Sequence, residues 1–292
     1  MSYPSPTVTP MDGPALTLTP LALSPSRASD FKTCPLLYRF RAIDRLAEPP
    51  SPQATRGTLV HAVLERLFDL PAAQRTPARA RQLAEDEWSA MLADDPALAG
   101  VIPAEADAGA WLADAGALLD AYFELEDPTR LEPAERELLL EVDAGDGMRL
   151  KGVVDRLDES PTGDLRIVDY KTGRAPNHLF EQRALFQLRF YALLLWRSRG
   201  RIPRLLQLVY LADGQLVRLE PHQADLEALE RTLRALTTAI ARATASGEFR
   251  PRRSALCAWC PHQGLCPEFG GTPPPLPQPG DRSQRAEADP PA

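Results

Sequence analysis

The sequence predicts a mixed α/β fold: a helix, a three-strand meander, a helix and a further strand, with a helical segment inserted ahead of the meander. Three observations carry this. Short alternating runs at Glu137–Val142, Arg149–Asp158 and Leu165–Tyr170 are separated by the turns Ala144-Gly145-Asp146-Gly147 and Ser160-Pro161-Thr162-Gly163-Asp164, the pattern of strands joined by tight turns. Long amphipathic stretches flank that meander on both sides. A hydrophobic content of 44% and a charged content of 25% supply a sizeable core, in the range of globular proteins.

Taken in order, residues 1–23 read as a flexible tail, with six prolines in the first 25 positions. Ser24-Pro25 is an N-cap followed by proline at the first helical position, opening a helix to about residue 42. A second helix is expected over 55–69. Alanine-rich helices near 78–93 and 105–126 form the insert of about 70–135. After the meander, Leu185, Leu188, Tyr191, Ala192 and Leu195 make one stripe of a helix over 179–199. Residues 204–211 and 215–219 form a hairpin around Asp213-Gly214, and a last helix spans 223–246. A cysteine region at 250–269 precedes a proline-rich tail at 271–292. Residues 24–270 therefore read as a single domain.

Composition narrows the function. The 292-residue chain carries a net charge of −7, which excludes a protein basic throughout but not a local phosphate-binding patch. No apolar run is long enough to span a bilayer, and the N-terminus has no apolar core of a secretory signal. A soluble, cytoplasmic protein without membrane contact is expected. No G-x4-G-K-[ST] loop occurs, so the chain has no visible motor of its own.

All four cysteines fall in one pattern: Cys34 alone, then Cys257, Cys260 and Cys266 as C-x2-C-x5-C, 223 positions later. Four soft ligands suit a tetrahedral zinc or an iron–sulfur cluster, which would staple the two ends of the fold. The plainer alternative is unrelated thiols or a disulfide pair.

Two acids lie where a core would not choose them. Asp155 interrupts the apolar run Gly152-Val153-Val154, and Asp169 and Lys171 share one face of the next strand. Carboxylates at this spacing are hard ligands for Mg²⁺ or Mn²⁺, and a lysine beside them can orient water and steady phosphate charge. A surface ion pair is the alternative for either pair taken alone. Gly57, His61 and Glu65 recur at i, i+4, i+8 on one helical face, and Gln187 and Tyr191 are i, i+4 neighbours.

The ordered motifs Gly57-xxx-His61-xx-Leu64-Glu65, Gly152-xx-Asp155-Arg156, Asp169-Tyr170-Lys171-Thr172-Gly173 and Gln187-xxx-Tyr191 resemble those of RecB-type nucleases of the PD-(D/E)XK superfamily. The cysteines resemble its iron–sulfur subset, which includes AddB-type nucleases and CRISPR-adaptation exonucleases. The resemblance covers about residues 24–269. It implies a restriction-endonuclease-like core and a metal-dependent DNA exonuclease in repair or recombination. It also implies His61, Asp155, Asp169 and the Tyr170 carbonyl as Mg²⁺ or Mn²⁺ ligands. Lys171 would position the water, Gln187 and Tyr191 would support the site, and Glu65 and Arg156 would back it from outside. Cys34, Cys257, Cys260 and Cys266 would hold a [4Fe-4S] cluster, with structural Zn²⁺ as the alternative.

The expected partner is DNA, as single strands or ends, with a helicase or CRISPR-adaptation protein as a further partner. A binding-only subunit of a nuclease–helicase complex and a CRISPR spacer-acquisition nuclease are the alternative functions. Arg27, Lys32, Arg39, Arg41, Arg45 and Arg56, with Arg250, Arg252 and Arg253, form the expected electropositive rim.

Overall fold

The computed structural model describes residues 21–102, 108–175 and 178–277. Seven α-helices and five strands occur among them: α1 (Pro25–Thr33), α2 (Pro35–Tyr38), α3 (Pro52–Leu67), α4 (Pro77–Asp94), α5 (Ala108–Leu125), β1 (Glu135–Asp143), β2 (Arg149–Glu159), β3 (Leu165–Lys171), α6 (His178–Arg199), β4 (Leu205–Tyr210), β5 (Gln215–Leu219) and α7 (Gln223–Ser246).

The strands form one sheet in the order β1-β2-β3-β4-β5. The first three are an antiparallel meander, β4 lies parallel to β3 after the α6 crossover, and β5 returns antiparallel. One sheet face packs on α6 and α7 through Leu140, Leu150, Val154, Ile167, Leu188, Leu194 and Leu233. The other packs on α3, α4 and α5 through Leu59, Val63, Trp88, Leu119, Val168, Tyr170 and Val209. The helical insert thus covers half of the sheet. Between the layers, β3 alternates strictly: Leu165, Ile167 and Asp169 belong to the α6 side, Val168 and Tyr170 to the α3 side. That alternation is the period of two imposed by the pleat.

The first predicted helix is broken. Cys34 is extended (φ −158°, ψ 113°) between α1 and α2, and residues Arg39–Ile43 wind more widely as a π turn. Pro35 is the cause, because its ring disfavours helical backbone in the residue before it. The second helix starts at Pro52 rather than Thr55, since Ser51 caps it by accepting from the Ala54 N–H at 3.1 Å. The remaining boundaries lie within a few residues of those expected; the start expected for α5 at residue 105 lies outside the described residues. Leu23 is buried and bridges to Leu150, with its N–H donating to the Arg149 carbonyl at 2.7 Å. A third apolar cluster joins Phe31, Tyr38 and Phe40 to Phe249 and Leu276, which ties the two ends of the described chain together.

Arg156 is the largest fully buried side chain, at 1% exposure. Its guanidinium donates to both oxygens of Glu126 on the loop after α5 at 2.8 and 3.0 Å, to Asp158, and to the Tyr170 hydroxyl. This network bolts the α3–α5 layer to the sheet. Removing one member of a buried ion pair leaves an uncompensated charge, at a cost of about 3–5 kcal/mol, a large share of a domain's stability. Arg156→Ala should lower the urea midpoint accordingly; a midpoint like that of the wild type would show the network to be dispensable.

Candidate active site

The meander, α3 and α6 converge on one cluster of ionisable side chains. On β1 and β2 the register follows from the turn: Asp143 pairs with Arg149, and farther along the hairpin Glu137 and Asp155 are bracketed by the pairs Arg136–Arg156 and Leu138–Val154, where the ladder is interrupted. On β2 and β3, Arg156 pairs with Val168, which places Asp155 beside Asp169. From α3, which packs on the same sheet, His61 descends onto the pair. A ligand atom of His61, of Glu137 and of Asp155 all lie within 4.8 Å of one another.

Glu137 was not among the sequence candidates. In the run Glu135-Arg136-Glu137 it reads as the solvated start of a strand. Its backbone is left-handed (φ 42°), a conformation that a long side chain adopts in a strand only under constraint. Leu138, Leu140 and Val142 beyond it pack towards α6, while Leu139 is exposed. The kink turns Glu137 into the site although its neighbour Leu138 serves the core. The signal that could have found it is the Gly145–Gly147 turn, which sets the register that brings it beside Asp155.

The electrostatics follow from burial and crowding. Burial, then Asp169, holds the Asp155 carboxyl well above the usual range. Burial, then Glu65 and Asp169, pushes Glu137 up to about 7. Burial lowers the His61 imidazole, favouring its neutral form. His61 Nε2 lies 3.1 Å from the Tyr170 carbonyl, which can only accept, so Nε2–H donates there and the Nδ1 lone pair faces Asp155 Oδ2 at 3.5 Å. The Tyr170 N–H donates to Asp155 at 2.7 Å. His61 Nδ1 and the Glu137 and Asp155 carboxyls thus converge with only that backbone N–H among them, a donor-poor cluster that a divalent cation would suit. Asp169 Oδ2, buried without an aligned hydrogen bond, adds a third carboxylate beside Lys171 Nζ at 2.6 Å. Once a cation displaces their protons, three carboxylates against one ammonium carry two net negative charges, which suits Mg²⁺ or Mn²⁺.

Lys171 continues into α6. Burial acts to lower its pKa, but Asp169 and Asp155 outweigh that and hold it raised. Its ammonium donates to Gln187 Oε1 at 3.0 Å, and Gln187 Nε2 donates to the Tyr191 hydroxyl at 2.7 Å. Gly152 on β2 admits the Tyr191 ring: a Cβ there would meet Tyr191 Cε1 at 2.9 Å. The Gly152-xx-Asp155 and Gln187-xxx-Tyr191 motifs are thus two halves of one contact. Beyond Lys171, the Ala175 N–H donates to Asp213 Oδ2 at 3.0 Å, fastening that loop to the β4–β5 turn.

Other sequence candidates lie elsewhere. Glu65 bears on the site by helping to raise Glu137. Arg156 is not beside the cation site; it braces the opposite sheet face, because residues 155 and 156 alternate across the pleat. Several rim arginines are engaged in structure: Arg39 is buried against Asp44, Arg41 pairs with Asp30 and Glu48, and Arg56 with Asp114. The four cysteines are free thiols lining one cleft with about 50 Å³ of open volume. No three of their sulfurs come within 4.8 Å, so the expected ligating arrangement is not formed. One tetrahedral zinc would need about 3.8 Å between sulfurs from its ~2.3 Å bonds, so these positions do not fit zinc.

The PD-(D/E)XK nuclease superfamily model matches residues 22–267 of the chain. No curated protein matches it. Among solved structures, the chain is similar to a presumptive exonuclease from Eubacterium rectale. The two are 14% identical with a TM-score of 0.55, over 88% of this chain and 94% of that one; at that identity the likeness is one of fold. The structure of SSO0001 overlaps less well, with a TM-score of 0.38 at 17% identity over 85% and 86% of the two chains.

Because a carboxylate must lose its proton to ligate a cation, the raised Glu137 pKa makes metal affinity climb with pH through about 7. Titration of Mn²⁺ by calorimetry from pH 6 to 8 should show tighter binding and fewer protons released as pH rises. Glu137→Gln should flatten that dependence and weaken binding; an unchanged pH profile in this variant would remove Glu137 from the site.

Proposed function

The chain belongs to the PD-(D/E)XK nuclease superfamily, and we propose that it is a divalent-metal-dependent DNA exonuclease of the RecB type, with residues 24–270 as one nuclease domain. The observation that carries this reading is the convergence of His61, Glu137 and Asp155 beside the Asp169–Lys171 pair. His61, Glu137 and Asp155 would hold the ion, with Asp169 beside them. When bound, the ion supplies Lewis-acid polarisation of the phosphate and acidifies an attacking water.

The remaining steps belong to side chains. Lys171, held by Asp169 and Gln187, orients the water and steadies charge on the phosphate as the new P–O bond forms and the strand oxygen departs. Tyr191 fixes Gln187, and so fixes the direction of the ammonium. A binding-only subunit has no need of a half-buried lysine paired with Asp169 beside Asp155, which favours the catalytic reading.

The likeness to RecB-type motifs also supports a place in repair or recombination, in the cytoplasm, with a helicase partner or, alternatively, a CRISPR-adaptation one. For the cysteines we propose a [4Fe-4S] cluster on the likeness of their spacing to the iron–sulfur subset alone, since the sulfurs as placed do not form its ligating arrangement. A cluster carries its own iron between the thiolates and does not require the sulfurs to meet at one point. Anaerobically purified protein should contain iron and sulfide in near-equal amounts, and Cys257→Ser should lose both; protein free of iron would refute the cluster.

The nuclease itself is tested with end-labelled single- and double-stranded DNA in Mg²⁺ or Mn²⁺. Stepwise shortening from an end, abolished by EDTA and reduced at least about 100-fold by Lys171→Ala, is expected. Cleavage that persists in that variant would refute the assigned site.

A further inference from the structure

Trp259 stands 79% exposed. The other tryptophans do not: Trp88 and Trp111 are buried against each other, and Trp196 is half-buried with Arg197 over its ring. Leu256 and Phe269, on the same cysteine-bearing segment, are exposed as well. A single exposed apolar side chain is ordinary, but three on one short segment are a candidate contact surface.

Cations are interleaved with these rings. The Arg253 guanidinium lies 5.3 Å from the Phe269 centroid. Arg250 has a side chain 86% exposed, with Glu248 as its partner. Arg252 donates to the Lys32 carbonyl at 2.7 Å. Lys32 in turn sets its ammonium 4.5 Å over the Phe186 ring, and Phe186 immediately precedes Gln187, which receives Lys171. Cation–aromatic pairs thus occur both on the cysteine segment (Arg253–Phe269) and next to Gln187 of the candidate active site (Lys32–Phe186), with Arg252 bonded to the Lys32 backbone between them. On a chain of net charge −7, such local cations are what a polyanion would follow.

Aromatic planes accept stacked bases of any sequence, and guanidinium groups between them neutralise the phosphates. We infer that the exposed Trp259, on the same segment as the Arg253–Phe269 pair, is a stacking platform that holds single-stranded DNA on its way to Lys171. The inference rests on the nuclease reading and adds to it a strand preference and an entry side.

The test is binding of fluorescein-labelled oligothymidylate to the full chain in EDTA, where nothing is cleaved. Wild type should bind with quenching of tryptophan fluorescence. Trp259→Ala should weaken binding about 10-fold or more, from the contribution of one stacked base, whereas Trp259→Phe should retain most of the affinity. Arg253→Ala should lower the slope of log K against log salt by about 0.7, the value for one phosphate contact on a single strand. Circular dichroism confirms that each variant is folded. Oligothymidylate binding by Trp259→Ala equal to that of wild type would overturn the platform and leave the surface to a protein partner. Metal-dependent cleavage is read separately on wild type. Cleavage with Trp259 silent sinks only this inference, and Trp259-dependent binding without cleavage supports it while sinking the nuclease reading.

Discussion

Buried like charge is the constraint that organises this molecule. Asp155 and Asp169 are placed side by side by the β2–β3 register, and Glu137 is brought to them by the β1–β2 hairpin. Carboxylates crowded away from water repel one another and resist ionisation, as the raised Asp155 and Glu137 record. Every neighbour answers that repulsion. Lys171 supplies one positive charge, the Tyr170 N–H donates to Asp155, and neutral His61 offers a lone pair instead of a charge. The remaining negative charge is a demand for a dication.

The sheet keeps two charge networks apart. On the α6 side lie the carboxylates and Lys171; on the α3 side Arg156 is enclosed by Glu126, Asp158 and Tyr170. Adjacent residues of β2 and β3 feed opposite networks because side chains alternate across the pleat. The first network leaves acceptors unmatched and so can bind an ion. The second is internally compensated and so can hold helices in place. Tyr170 joins them: its backbone belongs to the site and its ring to the brace.

Much of this was legible in the residues. The meander, its turns, the α6 stripe and the last helix followed from period and punctuation; Asp155, Asp169 and Lys171 stood out as charged groups in apolar runs, whereas Gln187 and Tyr191 entered through the family resemblance. What was not legible required three dimensions. Glu137 looked like one charge among several until its left-handed backbone turned it inward. Arg156, expected from the resemblance to back the site, bonds the Tyr170 hydroxyl on the face opposite Asp155, a placement that only the folded strands reveal. Arg39 and Arg41 read as a DNA rim because their partners, Asp44 and Glu48, become visible only when the chain turns back after Pro35. The cysteine pattern likewise placed four thiols on one cleft without fixing how close the sulfurs would lie.

The central claim is that Glu137 joins His61 and Asp155 in holding the ion. Crystals grown with Mn²⁺ and measured at the manganese absorption edge test it most directly. The account predicts one anomalous peak within bonding distance of His61 Nδ1, a Glu137 oxygen and an Asp155 oxygen. A peak held by Asp155 and Asp169 with Glu137 turned away, or no peak in this cluster, would contradict it.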